Sequence, residues 1–239
     1  MGGKEAMDKI ISNYIKYKFI FNNNKINHNS YNYQKLFRVI YGYTQNITKK
    51  DKKTYKYHRQ GIIEDLPFIR PGRNCIILPL NTEHKLINFF DNKIGAAHNF
   101  KEKDYYFVKY TIDKIEVNDL EIINCLEKYI NNCNIISFDG KQDKLANELN
   151  KIINEPEYLN KFKKKNKDNL LDKLNNITSI DWFVKCKGKS DIVSGFLDKI
   201  NLAKEKINAS LKSGLATDSI TQPKQTQQES NKLQEKQEN

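Results

Sequence analysis

The segment of residues 10–21 ends in a clear alternation of side chains between two faces. Because successive side chains of a β-strand point to opposite faces, a two-residue period predicts a strand that buries one face. The first residues of the segment alternate less regularly, so a strand with a short helix at its start is an alternative interpretation. The two predicted faces are Ile15, Tyr17, Phe19 and Phe21 on one side and Tyr14, Lys16, Lys18 and Ile20 on the other.

An aromatic and basic stretch, residues 37–80, contains the pattern of a β-hairpin. Residues 38–44 alternate like a strand, and their tyrosines and β-branched side chains suit a pleated surface. A lysine cluster at residues 49–53 interrupts the alternation and predicts a solvated turn, after which residues 54–58 resume it. The second strand is predicted to place Tyr55 and Tyr57 on one face and Lys56 and His58 on the other.

A proline–glycine pair follows between two arginines, in the motif Arg70-Pro71-Gly72-Arg73. The motif fits a type II turn, because proline presets φ at the second position and glycine supplies the positive φ of the third. We expect this turn to hold Arg70 and Arg73 close together at the start of an apolar strand, residues 75–80. Two neighbouring guanidinium groups suit a phosphate clamp, although arginines beside a turn are more often only solvated.

Residues 81–140 alternate between helical and strand patterns. Asn81 or Thr82 is expected to cap a helix that ends at Phe90, and residues 105–113 are expected to form a strand. Asn118 is expected to cap the next helix, and residues 134–138 to form a short strand. The first 140 residues are therefore predicted to be a basic α+β domain, 1–140.

Residues 141–213 are predicted to be a helical region, with no strand beyond Asp139. One amphipathic helix covers residues 145–153, Pro156 is expected to open another, and a last long helix is expected to end at Ser213-Gly214. The last helix has an apolar stripe that favours core packing over a partner surface, although a homodimer through this helix stays open. The stripe is Val193, Phe196, Ile200, Ala203, Ile207 and Leu211.

Residues 214–239 are rich in Gln, Ser and Lys and lack the apolar content needed to fold, which predicts a disordered C-terminal tail. The predicted fold class is therefore α+β. It combines a β-rich N-terminal half with strand–helix alternation, a helical C-terminal part and a disordered tail.

The positive charge is concentrated in the first third of the chain. Of the net charge of +12, residues 1–80 carry fifteen basic and five acidic side chains, whereas the remaining 159 residues carry 26 basic and 24 acidic ones. A basic segment attached to a nearly neutral remainder is typical of a protein that binds a polyanion, and nucleic acid is the commonest such partner. The abundance of Asn, Lys, Ile and Tyr is typical of an AT-rich coding sequence, which raises the lysine count without a functional cause.

The four cysteines are far apart in the sequence, at Cys75, Cys125, Cys133 and Cys186, with no CxxC pair and no histidine at zinc-finger spacing. We expect them to be reduced and mostly buried. The sequence contains no pattern of a signal peptide and no apolar run of about 18 residues that could span a bilayer. These patterns predict an intracellular, cytoplasmic protein without a membrane partner.

Enzymatic activity is the less favoured interpretation. A metal-dependent nuclease needs clustered carboxylates, and the candidate acids do not form a clean pattern on one strand. His58 could act as a base, but the spacing identifies neither a nucleophile nor a partner acid. No glycine-rich phosphate loop is present, and no cofactor or metal is predicted. The candidate acids are Glu64, Asp65, Asp104, Asp113 and Glu116.

The leading hypothesis is a non-enzymatic protein that binds DNA or RNA through a basic, tyrosine-rich hairpin. Basic side chains would neutralise phosphates, and exposed tyrosines would stack on unpaired bases. The alternatives are a metal-dependent nuclease or other nucleic-acid-processing enzyme, and a protein–protein adaptor that uses the last helix and the tail. The candidate binding residues are Lys49, Lys50, Lys52, Lys53, Tyr55, Lys56, Tyr57, Arg59, Arg70 and Arg73.

Overall fold

A computed structural model describes residues 8–21, 30–91, 106–137 and 140–218, which form a mixed α+β fold. In chain order, the N-terminal elements are β1 (Lys9–Phe21), α1 (Tyr31–Tyr41), β2 (Tyr43–Thr48), β3 (Thr54–Arg59), β4 (Ile69–Gly72), β5 (Cys75–Leu78), α2 (His84–Phe90) and β6 (Tyr106–Asn118). They are followed by α3 (Asp119–Asn132), β7 (Asn134–Ile136), β8 (Gln142–Lys144), α4 (Leu145–Asn154), a short 3-10 helix (Tyr158–Lys161), α5 (Lys164–Thr178), α6 (Asp181–Cys186) and α7 (Asp191–Asp218). The predicted α+β class, with a β-rich first half and a helical C-terminal part, is confirmed.

The central sheet has four antiparallel strands in the order β4-β5-β1-β6. β1 pairs with β6 along its whole length, from Lys9 opposite Asn118 to Phe21 opposite Tyr106. On its other side, β1 pairs with β5 only through residues 13–16. β1 is therefore the strand on which the sheet is built.

β1 lies between two hydrophobic cores and changes the face that it buries. Ile10 and Ser12 are buried on one face, whereas Ile15, Tyr17 and Phe19 are buried on the other. A strand that covered a single core would keep one buried face throughout. The predicted strand and its apolar face are confirmed, and the strand begins at Lys9 without a helical start.

The first core packs one face of the sheet against α1 and α2. It joins Ile15, Tyr17 and Phe19 of β1 to Leu36 of α1 and Phe89 of α2. Several aromatic pairs in this core meet edge to face, including the rings of Phe19 and Tyr33, whose centroids are 6.1 Å apart. Such edge-to-face contacts add to the free energy of burial.

The second core packs the opposite face of the sheet against α3 and the helices of the C-terminal part. It joins Ile10 and Val117 of the sheet to Leu126 of α3, Trp182 of α6 and Ile200 of α7. The predicted domain boundary at residue 140 stays a prediction, and this core contains residues from both sides of it. The apolar stripe of α7 is confirmed as core packing, because Val193, Phe196, Ile200, Ala203 and Ile207 are buried and Leu211 packs against them.

The strand predicted at residues 38–44 is wrong for its first four residues, which belong to α1. Ser30 caps this helix, because its side chain accepts a hydrogen bond from the backbone N–H of Tyr33 at 3.3 Å. Tyr33, Leu36 and Ile40 are buried at helical spacing, so packing against the sheet overrides the strand propensity of the segment. Gly42 ends the helix with a φ of 74°, and the first strand of the hairpin is Tyr43–Thr48.

The predicted type II turn at residues 70–73 is also wrong. Pro71 and Gly72 belong to the edge strand β4, where a missing N–H is tolerated, and Gly72 does not adopt a positive φ. The chain turns at Arg73-Asn74, between the paired residues Gly72 and Cys75. Asn74 fixes this turn to β1, because its Nδ2 donates to the Tyr17 carbonyl at 3.0 Å and its own carbonyl accepts from the Tyr17 N–H at 2.9 Å.

The other predicted helices of the N-terminal half are present with shifted ends. α2 begins at His84 and has no side-chain cap, and the Thr82 hydroxyl instead donates to the Pro79 carbonyl at 2.8 Å. The cap of α3 is confirmed, since Asn118 Oδ1 accepts from the Leu120 N–H at 2.9 Å. The strand predicted at residues 105–113 extends as β6 to Asn118.

The C-terminal part departs from the sequence pattern at three points. A strand does occur beyond Asp139, because β8 pairs with β7 in a short antiparallel hairpin. Pro156 does not open a long helix but leads into the short 3-10 helix, and α5 begins only at Lys164. α7 continues past Ser213-Gly214 to Asp218. Of the predicted tail, residues 219–239 lie outside the described residues.

A buried hydrogen bond between Ser12 and Trp182 connects β1 to α6. The indole Nε1 donates to Ser12 Oγ at 3.0 Å, and both residues are fully buried. We expect Ser12→Ala to lower the free energy of unfolding, measured in urea, by about 1–3 kcal/mol, because the indole N–H loses its acceptor inside the core. In a Trp182→Phe background the same change should cost much less. Equal losses in the two backgrounds would contradict this explanation.

Candidate nucleic-acid interface

The strands β2 and β3 form a two-stranded hairpin that extends into solvent. They pair in register from Tyr43 opposite Arg59 to Thr48 opposite Thr54. At the tip, the Lys49 N–H donates to the Lys53 carbonyl at 3.0 Å, and Lys52 adopts a φ of 60°. Every residue from 44 to 60 is exposed, and among the described strands β2 and β3 pair only with each other.

One face of this hairpin carries its aromatic and apolar side chains. Residues directly opposite each other in an antiparallel pair share a face, so Tyr55 lies beside Ile47 and Tyr57 beside Gln45. Ile47, Tyr55 and Tyr57 are 39%, 37% and 43% exposed. We call this surface the aromatic face; it comprises Tyr43, Gln45, Ile47, Tyr55, Tyr57 and Arg59. The predicted sharing of one face by Tyr55 and Tyr57, with Lys56 and His58 on the other, is confirmed.

Cationic side chains border the aromatic face at both ends. At the tip, Lys49 Nζ lies 4.5 Å from the centroid of the Tyr55 ring. Near the body, Arg38 of α1 places its Cζ 5.1 Å from the centroid of the Tyr43 ring and 5.8 Å from that of Tyr31. Each contact is a cation–π interaction worth about 0.5–1 kcal/mol at an exposed site, so the rings and the cations form one ordered surface.

The root of the hairpin is held by two glycines and a carboxylate. Gly42 and Gly61 approach so closely that a Cβ on Gly61 would overlap the backbone of Tyr41 and Gly42. Glu64 Oε2 accepts a hydrogen bond from the Gly61 N–H at 2.9 Å, and Glu64 Oε1 lies 2.6 Å from His58 Nε2. These contacts fix the direction in which the hairpin leaves the body.

His58 has a carboxylate partner that the sequence spacing did not reveal. Its Nε2 contacts Glu64, and its Nδ1 lies 3.0 Å from the Thr44 hydroxyl. Both ring nitrogens are therefore engaged by other side chains, so His58 connects the two strands of the hairpin to Glu64 at the hairpin root.

Arg70 and Arg73 lie together against the aromatic side of α1. The Arg70 Cζ is 4.5 Å from the centroid of the Tyr41 ring and 5.7 Å from that of Phe37, and the Arg73 Cζ is 5.9 Å from that of Phe37. Arg73 also lies 5.1 Å from the centroid of the Tyr33 ring, and Arg70 Nη2 donates to the Arg73 carbonyl at 3.5 Å. The predicted proximity of the two arginines is therefore confirmed, although a different turn produces it. We call Tyr33, Phe37, Tyr41, Arg70 and Arg73 the arginine–aromatic cluster.

This cluster borders the hairpin root, because Tyr41 is the last residue of α1 and Gly42 follows it. The Tyr41 hydroxyl is 3.2 Å from the Tyr17 hydroxyl, which ties the end of the helix to β1. Burial raises the pKa of Tyr41 and that of Tyr17, so both phenols stay neutral at neutral pH. The sequence signal for this surface was present in the four-residue spacing of Tyr33, Phe37 and Tyr41.

Two cavities flank the hairpin root, and Glu64 lines both. The first, of about 750 Å³, lies between residues 64–70 and the outer face of α3. The second, of about 680 Å³, lies between the root, the β7–β8 hairpin and the start of α5, and its polar lining includes Gln60, Asn166 and Lys173. Both cavities are therefore adjacent to the surface formed by the hairpin and the arginine–aromatic cluster.

Most of the candidate acids form ion pairs within the protein. Glu64 pairs with His58, Asp65 with Lys85, and Glu116 with Lys9, whereas Asp104 lies outside the described residues. Within the described ranges, no three histidine, cysteine or acidic side chains come close enough together to hold a metal ion.

The four cysteines are free thiols, two of them buried and two partly buried. Burial raises the pKa of Cys125 to about 12 and that of Cys186 to about 11. Neither group is therefore a thiolate at neutral pH, and neither has the character of a nucleophile.

Comparisons with protein-family models, with curated proteins and with solved structures found no match for this chain. Of the helices that the structure describes, none combines the length and the apolar character needed to cross a membrane. The assignment of function therefore depends on the geometry of the surface described above.

The close approach of the two glycines can be tested by adding one methyl group. We expect Gly61→Ala to lower the free energy of unfolding by about 1–3 kcal/mol, because the new Cβ overlaps backbone that cannot move aside without displacing the hairpin. Hydrogen exchange of the amides in residues 43–59 should accelerate more than exchange in β1. Gly195→Ala in α7 is the matched control, because a Cβ there meets nothing within 4 Å and helix propensity favours alanine. Unchanged hairpin protection in Gly61→Ala would contradict the proposed role of the root.

Proposed function

We propose that this protein binds DNA or RNA, without catalysis, through the β2–β3 hairpin and the adjacent arginine–aromatic cluster. The observation that carries the proposal is the aromatic face, which is exposed, has two tyrosines at its centre and is bordered by cations at both ends. Large apolar and aromatic side chains are normally buried when a core is available to them. Three large side chains left in solvent between basic groups fit a surface that meets a ligand.

Phosphate recognition is supported by the charge of the hairpin. Residues 43–60 contain six basic side chains and one acid, Asp51. Asp51 stabilises the tip, where its carboxylate accepts hydrogen bonds from the Lys53 N–H at 3.1 Å and the Tyr55 hydroxyl at 3.4 Å. The remaining positive charge attracts a polyanion and would release its counterions on binding. The basic side chains of the hairpin are Lys49, Lys50, Lys52, Lys53, Lys56 and Arg59.

The arginine–aromatic cluster would extend this phosphate-binding surface. A guanidinium group that stacks on a ring keeps its N–H groups at its planar edge, where they match the geometry of phosphate oxygens. Arg70 and Arg73 are both exposed and both lie over Phe37. The rings therefore hold both guanidinium groups in a fixed direction, which lowers the loss of conformational entropy that phosphate binding would cost.

Base recognition is supported by the tyrosines. Tyr55 and Tyr57 lie on one face of one strand, two residues apart, with Ile47 beside Tyr55 on the opposing strand. Aromatic side chains spaced along a basic strand provide platforms on which successive unpaired bases stack. Single-stranded segments are therefore the ligands that this face fits best.

Removal of lysines from the hairpin should weaken binding in a salt-dependent way. We expect the triple variant Lys50→Gln, Lys53→Gln, Lys56→Gln to bind a single-stranded oligonucleotide more weakly than the native protein. The slope of log affinity against log salt concentration should decrease by about 2, since each phosphate contact on a single strand contributes about 0.7 to the slope. Fluorescence anisotropy at several salt concentrations measures both quantities.

The matched control removes the same charge from the helical part, with Lys163→Gln, Lys164→Gln and Lys165→Gln, all of which are exposed. This control should leave the slope nearly unchanged. An equal decrease in both variants would show that binding depends on net charge alone, and an unchanged slope in the hairpin variant would refute the hairpin as the phosphate surface.

Replacement of the exposed tyrosines should separate single-stranded from duplex ligands. We expect Tyr55→Ala with Tyr57→Ala to cost about 1–3 kcal/mol of single-strand affinity for each base that loses its stacking partner. Duplex affinity should fall less, because paired bases do not expose their faces. Phe107→Ala removes a ring of similar exposure from β6 and serves as the control. Equal losses for the two ligands would exclude stacking as the contribution of these tyrosines.

A further inference from the structure

We propose that the first cavity, between residues 64–70 and α3, binds one unpaired base of the nucleic acid as a specificity pocket. This inference rests on the proposed function and assigns a second role to the surface beside the hairpin. The volume of the cavity, about 750 Å³, lies in the range of small-molecule sites and is ample for a heterocyclic base with its sugar.

The walls of the cavity are held in place by hydrogen bonds across it. The Tyr129 hydroxyl of α3 donates to the Asp65 carbonyl at 3.0 Å, and the Cys125 thiol donates to the Phe68 carbonyl at 3.2 Å. These two contacts, one helical turn apart on α3, attach the segment 64–70 to the helix. The pocket is therefore formed before a ligand arrives, which reduces the cost of binding.

The aromatic part of the lining offers a stacking surface. Tyr41 and Phe68 both line the cavity, and their ring centroids are 5.5 Å apart with an angle of 42° between the rings. Tyr41 also stacks on Phe37 at 6.4 Å with an angle of only 5°. A flat heterocycle in the cavity would meet rings whose orientation is already fixed by neighbouring aromatic contacts.

The charges of the lining select against a strongly anionic occupant. Two cationic side chains, Arg70 and Lys128, are matched by two carboxylates, Glu64 and Glu121. The lining is therefore neutral overall and offers no net attraction to a group that carries several phosphates. It suits a neutral planar molecule with hydrogen-bonding edges, and Asn124 and Asn132 can supply both donors and acceptors to such edges.

Arg70 connects the cavity to the phosphate surface. Its guanidinium belongs to the arginine–aromatic cluster, and the same residue lines the cavity. A phosphate bound at Arg70 would leave the base of that nucleotide beside the mouth of the cavity. Sequence selectivity would then arise here, because phosphate contacts position a strand without reading its bases.

The position of the base can be mapped by photocrosslinking. A single-stranded oligonucleotide that contains 5-iodouracil, bound to the full-length protein and irradiated, should crosslink to an aromatic residue next to the base. We expect crosslinking to Phe68, in the tryptic peptide of residues 60–73, in addition to any crosslink at Tyr55 or Tyr57. Crosslinks confined to the hairpin tyrosines would overturn the pocket while leaving the proposed function intact.

A matched pair of variants on α3 tests the hydrogen-bonding edge. Asn124→Leu keeps the number and branching of the side-chain heavy atoms but removes the amide, and we expect it to lower the affinity for the oligonucleotide about three- to tenfold and to weaken the Phe68 crosslink. Asn131→Leu changes an exposed asparagine of the same helix that does not line the cavity and should have no effect. Equal behaviour of the two variants would overturn the pocket. Failure of the native protein to bind any oligonucleotide would overturn the proposed function and the pocket together.

Discussion

The antiparallel pairing of β1 with β6 is the interaction on which the rest of this structure depends. Thirteen residue pairs fix the register of the two strands. A slip of one residue would turn every side chain to the opposite face. Because β1 buries Ile10 and Ser12 on one face and Ile15, Tyr17 and Phe19 on the other, such a slip would expose apolar groups of both cores at once. The two cores therefore specify the same register from opposite sides of one strand.

The position of the candidate interface follows from this strand. α1 covers the face that carries Tyr17 and Phe19, and the hydrogen bond between the Tyr17 and Tyr41 hydroxyls holds the end of the helix to β1. Gly42 then redirects the chain into the hairpin. The turn at Arg73-Asn74 is held to the same strand through Tyr17, so the arginines that stack on α1 are placed by the element that places the helix. A mixed surface of rings and cations is thus supported by the rigid centre of the fold.

Strands and helices with a long, regular hydrophobic pattern could be predicted from the sequence. Prediction was least successful where a segment suits both a strand and a helix and only its packing decides between them. The alternation around Ile15 to Phe19 and the helical spacing around Ile200 each specify one structure. Residues 38–41 are different, since Val39 and Ile40 suit a strand by propensity and only their burial against the sheet makes them helical. The hairpin tip and its tyrosine face were predictable because they depend on local pairing. The pairing of Glu64 with His58, the stacking of Arg70 on Tyr41 and the cavity beside α3 were not, because each depends on how separate segments fold together.

The way in which the hairpin is attached gives it a freedom that the strands of the central sheet lack. Its root is fixed by the contact of Gly42 with Gly61 and by Glu64, whereas beyond the root its strands pair only with each other among the described strands. The length of the hairpin can therefore change without altering the packing of either core. Insertion of two residues into each strand would lengthen its reach by about 7 Å, would keep the tyrosines on their present face and would leave the central sheet unaltered. An unequal insertion would instead form a bulge and turn the tyrosines away from their present side. The reach of the hairpin could thus be changed by engineering in regular steps while the body of the protein stays the same.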